Sequence, residues 1–229
     1  MLDWNCGTRA KDFSGGNHAG TDIMLWPFGW NMMAANQGEI VAAAPGIIIA
    51  KIDGQPNMNC LSTPTNDWNT VYVQHSDGTI AWYGHIKEHA NQQTRGRQRG
   101  YRRVSGQRRQ FRRAALHFEV HDAQGNILDS CHGSCNAAAN LWTTHKPYNE
   151  PTINALLTHT APPVFNNCLQ LGQYKCWQQL SGQQPALLRR LLHHDQQQGQ
   201  MTTYTIYGLD NSVFQPWMHT RPGSHLQSY

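Results

Sequence analysis

Residues 71–85, "VYVQHSDGTIAWYGH", place two runs of strand-forming residues on either side of an Asp77-Gly78 pair. Asp-Gly flanked by alternating apolar residues is the strongest short-range hairpin signal, because such a turn needs residues that tolerate positive φ. In the second arm Ala81, Tyr83 and His85 fall on one face, which places His85 at the end of the strand beside Tyr83. Upstream, "EIVAAAPGIIIAKIDG" (residues 39–54) reads as strand, Pro-Gly turn, strand. Downstream, "HDAQGNILD" (residues 121–129) reads as a turn and a returning strand. Helical periodicity is scarce before residue 140, so the expected fold class is mainly β, with long loops.

Two further stretches carry chemistry. In "FRRAALHFEV" (residues 111–120), an extended strand puts Leu116, Phe118 and Val120 on one side as a core face, and Ala115, His117 and Glu119 on the other. His117 thereby faces a cleft, where a neutral imidazole is a common zinc ligand. "GNHAGTDIML" (residues 16–25) supplies His18 and Asp22 ahead of apolar strand residues. Two imidazoles and a carboxylate make a three-ligand zinc site whose fourth tetrahedral position is left for water. HxxxD by itself is a weak pattern.

The combination is specific. "NHAGTDI", "AAAPGIIIAKIDG", "VYVQHSDGTIAWYGHIK" and "LHFEV", in this order and spacing, resemble the lysostaphin-type zinc metalloendopeptidases with their HxxxD and HxH motifs, over residues 4 to about 140. The resemblance implies an antiparallel β-sheet peptidase core, with His18, Asp22 and His117 as zinc ligands and His85 as the histidine that helps stabilise the transition state. Family members carry two histidines in the last motif; the second binds zinc and the first is the general base. Here Ala115 stands where that base belongs. Alanine accepts no proton, and loss of a positioned base typically costs about 10²–10⁴ in rate. Ala115 is not a ligand, so metal binding is expected to survive.

The same resemblance makes residues 92–115 anomalous. The family has short strands and Gly-rich turns there, ending in Gly-Pro before the HxH motif. This chain has arginine and glutamine, with Tyr101, Val104 and Phe111 as the only large apolar residues from 92 to 113. Such a pattern is too irregular for a buried strand. Its spacing to "LHFEV" is nonetheless normal, as expected if the stretch is translated out of frame, glycine codons shifted by a base becoming arginine. Nine of the 13 arginines lie in this segment, and removing their charge turns the formal +4 into −5. An arginine cluster also suits phosphates or an anionic polymer, but no interleaved aromatic platform accompanies it, so nucleic acid is not the expected partner.

Composition bounds the rest. No apolar run approaches the roughly 20 residues that cross a bilayer, so no membrane span is expected. No charged-then-apolar secretion signal opens "MLDWNCGTRA", which reads as already inside a folded domain, as expected of a chain that lacks its natural beginning. Six cysteines without a CxxC pair argue for disulfides and an oxidising compartment, extracellular or periplasmic. The pairing is open; Cys6 with Cys60 would close a long loop and contribute about 3–4 kcal/mol.

The expected domains are a zinc peptidase-like β domain over 1–140, a connector over 141–164 and a small, incomplete β-sandwich-like module over 165–229. Spanning most of the connector and the start of the last module, "WTTHKPYNEPTINALLTHTAPPVFNNC" (residues 142–168) is rich in turn formers. In residues 176–200, Leu187, Leu188, Leu191 and Leu192 share a helical face, which predicts a short amphipathic helix, although a second frame slip fits the same stretch. "TYTIYGLDNSVFQPW" (residues 203–217) predicts a hairpin turning at Leu-Asp-Asn. Two functional readings follow: a zinc endopeptidase cutting peptidoglycan or glycine-rich peptides, impaired by Ala115, or an inactive zinc-binding homologue that grips peptidoglycan peptides or a partner protein.

Overall fold

Runs of Val, Ile, Tyr and Trp with a two-residue period bury one face and build antiparallel sheets. The computed structural model describes residues 4, 6, 19–25, 28–57, 68–89, 115–138, 140–144, 147, 150–159, 187–194 and 196–223. Among them the elements run β1 (Thr21–Met24), α1 (Gly29–Ala34), β2 (Gly46–Ile52), β3 (Thr70–His75), β4 (Ile80–Gly84), β5 (Ala115–His121), β6 (Ile127–Leu128), β7 (Thr152–His159), β8 (Leu187–His194), β9 (Met201–Tyr207) and β10 (Val213–Thr220). The protein is mainly β, and among the described residues every strand pair is antiparallel. His18, the arginine-rich residues 92–114, and Cys60, Cys168 and Cys176 lie outside the described residues.

The principal sheet has six strands in the order β1-β5-β4-β3-β2, with β6 pairing the far end of β5. Its core is Val73, Ala81, Tyr83, Ile86, Phe118 and Val120, with Leu116 and Leu128 packed against it. Leu116, Phe118 and Val120 therefore form the core face of β5, as their alternation requires. The hairpin of β3 and β4 turns at Asp77-Gly78: Gly78 adopts φ +86°, and the Asp77 carboxylate accepts from the Thr79 amide at 2.9 Å and its hydroxyl at 2.7 Å. The turn at 122–126 returns the chain from β5 into β6.

Three expectations change. Only the second half of residues 39–54 forms a strand; residues 41–45 lie outside any strand. An alanine run has little side chain to pack on a sheet, and the Ala43 amide donates to the Tyr83 hydroxyl at 2.8 Å instead of to a strand partner. Leu187–His194 is β8, paired residue by residue with β7, and not a helix; a strand of this length satisfies its backbone against a neighbour, and that pairing overrides the weak helical periodicity. β7 itself falls within the stretch expected to be a connector. At the end of the described chain β9 and β10 form the expected hairpin, with Tyr204 stacked on Trp217 at 4.9 Å.

Cys6 pairs with Cys135, not with Cys60, and the two Cα atoms lie 5.2 Å apart. Local fit explains the choice. The Cys135 amide donates to the Trp4 carbonyl at 2.9 Å, and Gly133 lies so close that a Cβ there would meet Trp4 atoms at 2.4 Å. The bond spans 129 residues, a closure that contributes about 4–5 kcal/mol in the chain-entropy model. Replacing Cys135 by serine is expected to lower unfolding stability by about 3–5 kcal/mol, read as a fall in the urea midpoint that reduction of the parent protein reproduces.

Candidate metal centre

The register of β1 against β5 sets Asp22 opposite His117 and Met24 opposite Ala115. Residues 95 apart in sequence thereby place His117 Nδ1 3.0 Å from Asp22 Oδ1, both side chains buried. Gly20, just before β1, permits this approach. A Cβ at Gly20 would stand 2.4 Å from the Phe118 carbonyl oxygen and 2.7 Å from His117 Nε2.

His85 completes the group by leaving its strand. Alternation along β4 would send it to the face of Ala81 and Tyr83, but those two belong to the core, whereas His85 lies beside His117 with ring centroids 5.6 Å apart. The correction has a backbone cause: His85 adopts φ +62°, an uncommon left-handed conformation for a residue other than glycine, and it ends β4 at Gly84. Ile86 then donates its amide to the Asn69 carbonyl at 3.0 Å and buries its side chain in the core. A left-handed non-glycine residue costs of order 1–3 kcal/mol and persists where surrounding packing enforces it.

Ligand atoms of Asp22, His85 and His117 all lie within 4.8 Å of one another, and all three residues are buried. This group can hold a metal ion. Two imidazoles and one carboxylate form a donor set that suits zinc and other borderline divalent ions. Of the expected ligands, Asp22 and His117 come together; His18 lies outside the described residues; His85, expected to assist, stands within the same span. Ala115 is buried at the start of β5, two residues before His117, and its side chain is only a methyl group.

Two participants had no assigned role in the sequence. Trp68, inside a stretch that reads as polar loop, packs its indole 5.2 Å from the His85 ring and 5.1 Å from that of His117. Gly84 accommodates it, since a Cβ there would meet the indole at 2.7 Å. Glu119 accepts from His117 Nε2 at 2.9 Å and also from His121. Its position on His117's face of β5 was legible; its partners were not.

Burial alone would push the His117 pKa down, but hydrogen bonds and charge from Asp22 and Glu119 outweigh it and hold the imidazole above its ordinary value. Burial raises and the two histidines lower the Glu119 pKa, for a net fall. In the metal-free protein the raised His117 value stabilises the fold below pH 6.5 and is lost as pH rises through the folded value. The depressed Glu119 value stabilises above pH 4.5 and is lost as pH falls through its folded value. No protein-family model matches the chain, and no curated protein matches it.

Two outcomes follow from this geometry. Gly20→Ala is expected to lower stability by about 1–3 kcal/mol through overpacking and to weaken divalent-ion uptake with it, both read on one protein preparation by denaturation and chelator competition. The hydrogen bonds and charge of Asp22 and Glu119 favour the protonated His117 ring, and a metal competes with that proton, so binding is expected to release protons and to tighten as pH rises. Calorimetric titration in buffers of different ionisation enthalpy measures that release; heats independent of buffer would contradict it.

Proposed function

We propose that this chain is a secreted or periplasmic zinc endopeptidase of the lysostaphin type, acting on peptide cross-links of peptidoglycan or on glycine-rich peptides, with its activity impaired at Ala115. The observation that carries the reading is the buried convergence of Asp22, His85 and His117, because these residues come from the separate motifs on which the resemblance rests. The antiparallel sheet that positions them agrees with the peptidase core the resemblance implies. The Cys6–Cys135 bond fits an oxidising compartment. Among the described residues no helix is long and apolar enough to cross a membrane.

Asp22 and His117, with His18 by the resemblance, would hold the ion. When bound, zinc supplies Lewis acidity, polarising an amide carbonyl and acidifying water. His85 lies close enough to donate an N–H toward negative charge developing on the substrate oxygen, a contribution of the oxyanion-hole kind. Trp68 packs against both imidazoles. At Ala115 no side chain takes up the proton that hydrolysis releases.

That last feature favours a second reading, an inactive zinc-binding homologue that grips cell-wall peptides or a partner protein. The two are separated by zinc content, chelator-sensitive hydrolysis of a pentaglycine peptide, and Ala115→His. The endopeptidase reading expects weak cleavage abolished by chelator, rising about 10²–10⁴-fold when the base is restored in a chain whose 92–115 segment is also repaired. Stoichiometric zinc with no cleavage before or after that repair would select the second reading. Absence of metal binding would overturn both.

A further inference from the structure

Three residues in a row on one face of β5, His117, Glu119 and His121, form a continuous chain of hydrogen bonds leading away from the metal centre. Glu119 uses its two oxygens separately: Oε2 accepts from His117 Nε2 at 2.9 Å and Oε1 accepts from His121 Nε2 at 2.5 Å. His121 Nδ1 in turn donates to the Gly125 carbonyl at 3.0 Å. Both His121 nitrogens therefore face oxygen acceptors, which fixes the ring at both edges.

The outer end of this chain is fixed twice. The His121 ring lies flat on Trp82, with centroids 4.3 Å apart and planes 16° from parallel, an offset-stacked contact that sets the plane of the ring. Trp82 is itself braced edge-on by Tyr72 at 4.8 Å. Gly125 belongs to a tight turn, where it adopts φ +86° and where the Asp122 carboxylate accepts from the Gln124 and Asn126 amides at 2.9 and 2.8 Å. The chain thus runs from a rigid turn through His121 and Glu119 to His117.

We propose that Glu119 and His121 are positioning residues for the metal centre: Glu119, clamped by His121 on Trp82, holds the Nε2–H of His117 so that Nδ1 is the nitrogen presented beside Asp22. The inference rests on the metal-site reading above. Two acceptor oxygens are essential, because each of the two rings brings an N–H to the same carboxyl group. A carboxamide at this position puts an NH2 donor where one of those oxygens stood, facing one ring's N–H. Partners of this kind fix the tautomer and orientation of metal-binding histidines.

The test uses the full chain and three variants, with far-UV circular dichroism to show that each is folded. Glu119→Gln is expected to weaken cobalt(II) affinity by about 10–100-fold, read by chelator competition, and to change the visible absorption of the bound ion. His121→Phe keeps the stack on Trp82 but loses the donor, and should weaken affinity in the same direction. His121→Arg restores a charged donor that can also stack, and should recover parent-like affinity and spectrum. In the metal-free parent, ¹⁵N-resolved NMR of the imidazoles should show an exchange-protected Nε2–H on His117 that is lost in Glu119→Gln and His121→Phe.

Cobalt affinity and spectrum unchanged in Glu119→Gln would overturn the proposal. Failure of the arginine variant to restore what phenylalanine removes would equally do so. A parent protein that takes up no cobalt would sink the zinc reading, and the NMR signature of metal-free His117 then decides the clamp on its own. Should Glu119→Gln not fold, the contrast between His121→Phe and His121→Arg decides between clamp and no clamp.

Discussion

The pairing of β1 with β5 is the constraint on which the rest depends. It is a short ladder at the edge of the sheet, and it sets Asp22 directly across from His117. A shift of one residue would turn Asp22 to the opposite face and leave His117 Nδ1 without its carboxylate, because side chains alternate with a period of two. Two features hold the register. Ile23 and Met24 continue the pairing along β5, and Gly20 lets the chain enter against the Phe118 carbonyl where any side chain would collide.

Around this pair the site balances charge in low-dielectric surroundings. Two carboxylates and two imidazoles alternate as Asp22, His117, Glu119 and His121, each in hydrogen-bond contact with the next. Burying any one of them alone would cost several kcal/mol. In alternation each acceptor meets a donor, so the group can sit beneath the surface without an ion. The same arrangement leaves the cluster responsive to one, since the Asp22 and Glu119 carboxylates beside His117 offer negative charge that a divalent cation can offset.

His85 reaches this cluster through a backbone exception. A regular continuation of β4 would have put its ring among Tyr83, Phe118 and Val120. The left-handed conformation at His85 exchanges that outcome for a position beside His117, with Ile86 taking the core place. Trp68 fills the remaining space above Gly84 and contacts both rings. Local strain, a missing Cβ and one indole together assemble a site from strands whose own alternation would not.

Much of the sheet was legible in the chain itself. The Asp77-Gly78 hairpin, the core face of Leu116, Phe118 and Val120, the returning strand after residue 121 and the last hairpin all follow from two-residue periodicity and turn chemistry, which are local properties. The chemical promise of Asp22 and His117 was legible too, since residue identity alone decides which side chains can bind a metal. The helical reading of Leu187–Leu192 failed because leucine spacing does not outweigh the offer of a partner strand. What the tertiary structure decided is every relation between distant residues. Cys6 joins Cys135 because Trp4 and Gly133 fit together, His85 turns to the metal side because the core takes Ile86, and Glu119 becomes a bridge because His117 and His121 present N–H groups to its two oxygens. Composition and spacing specify which atoms are available; only the folded register specifies which of them come within hydrogen-bonding or coordinating distance, and both interactions fall off within an ångström or two of their optimum.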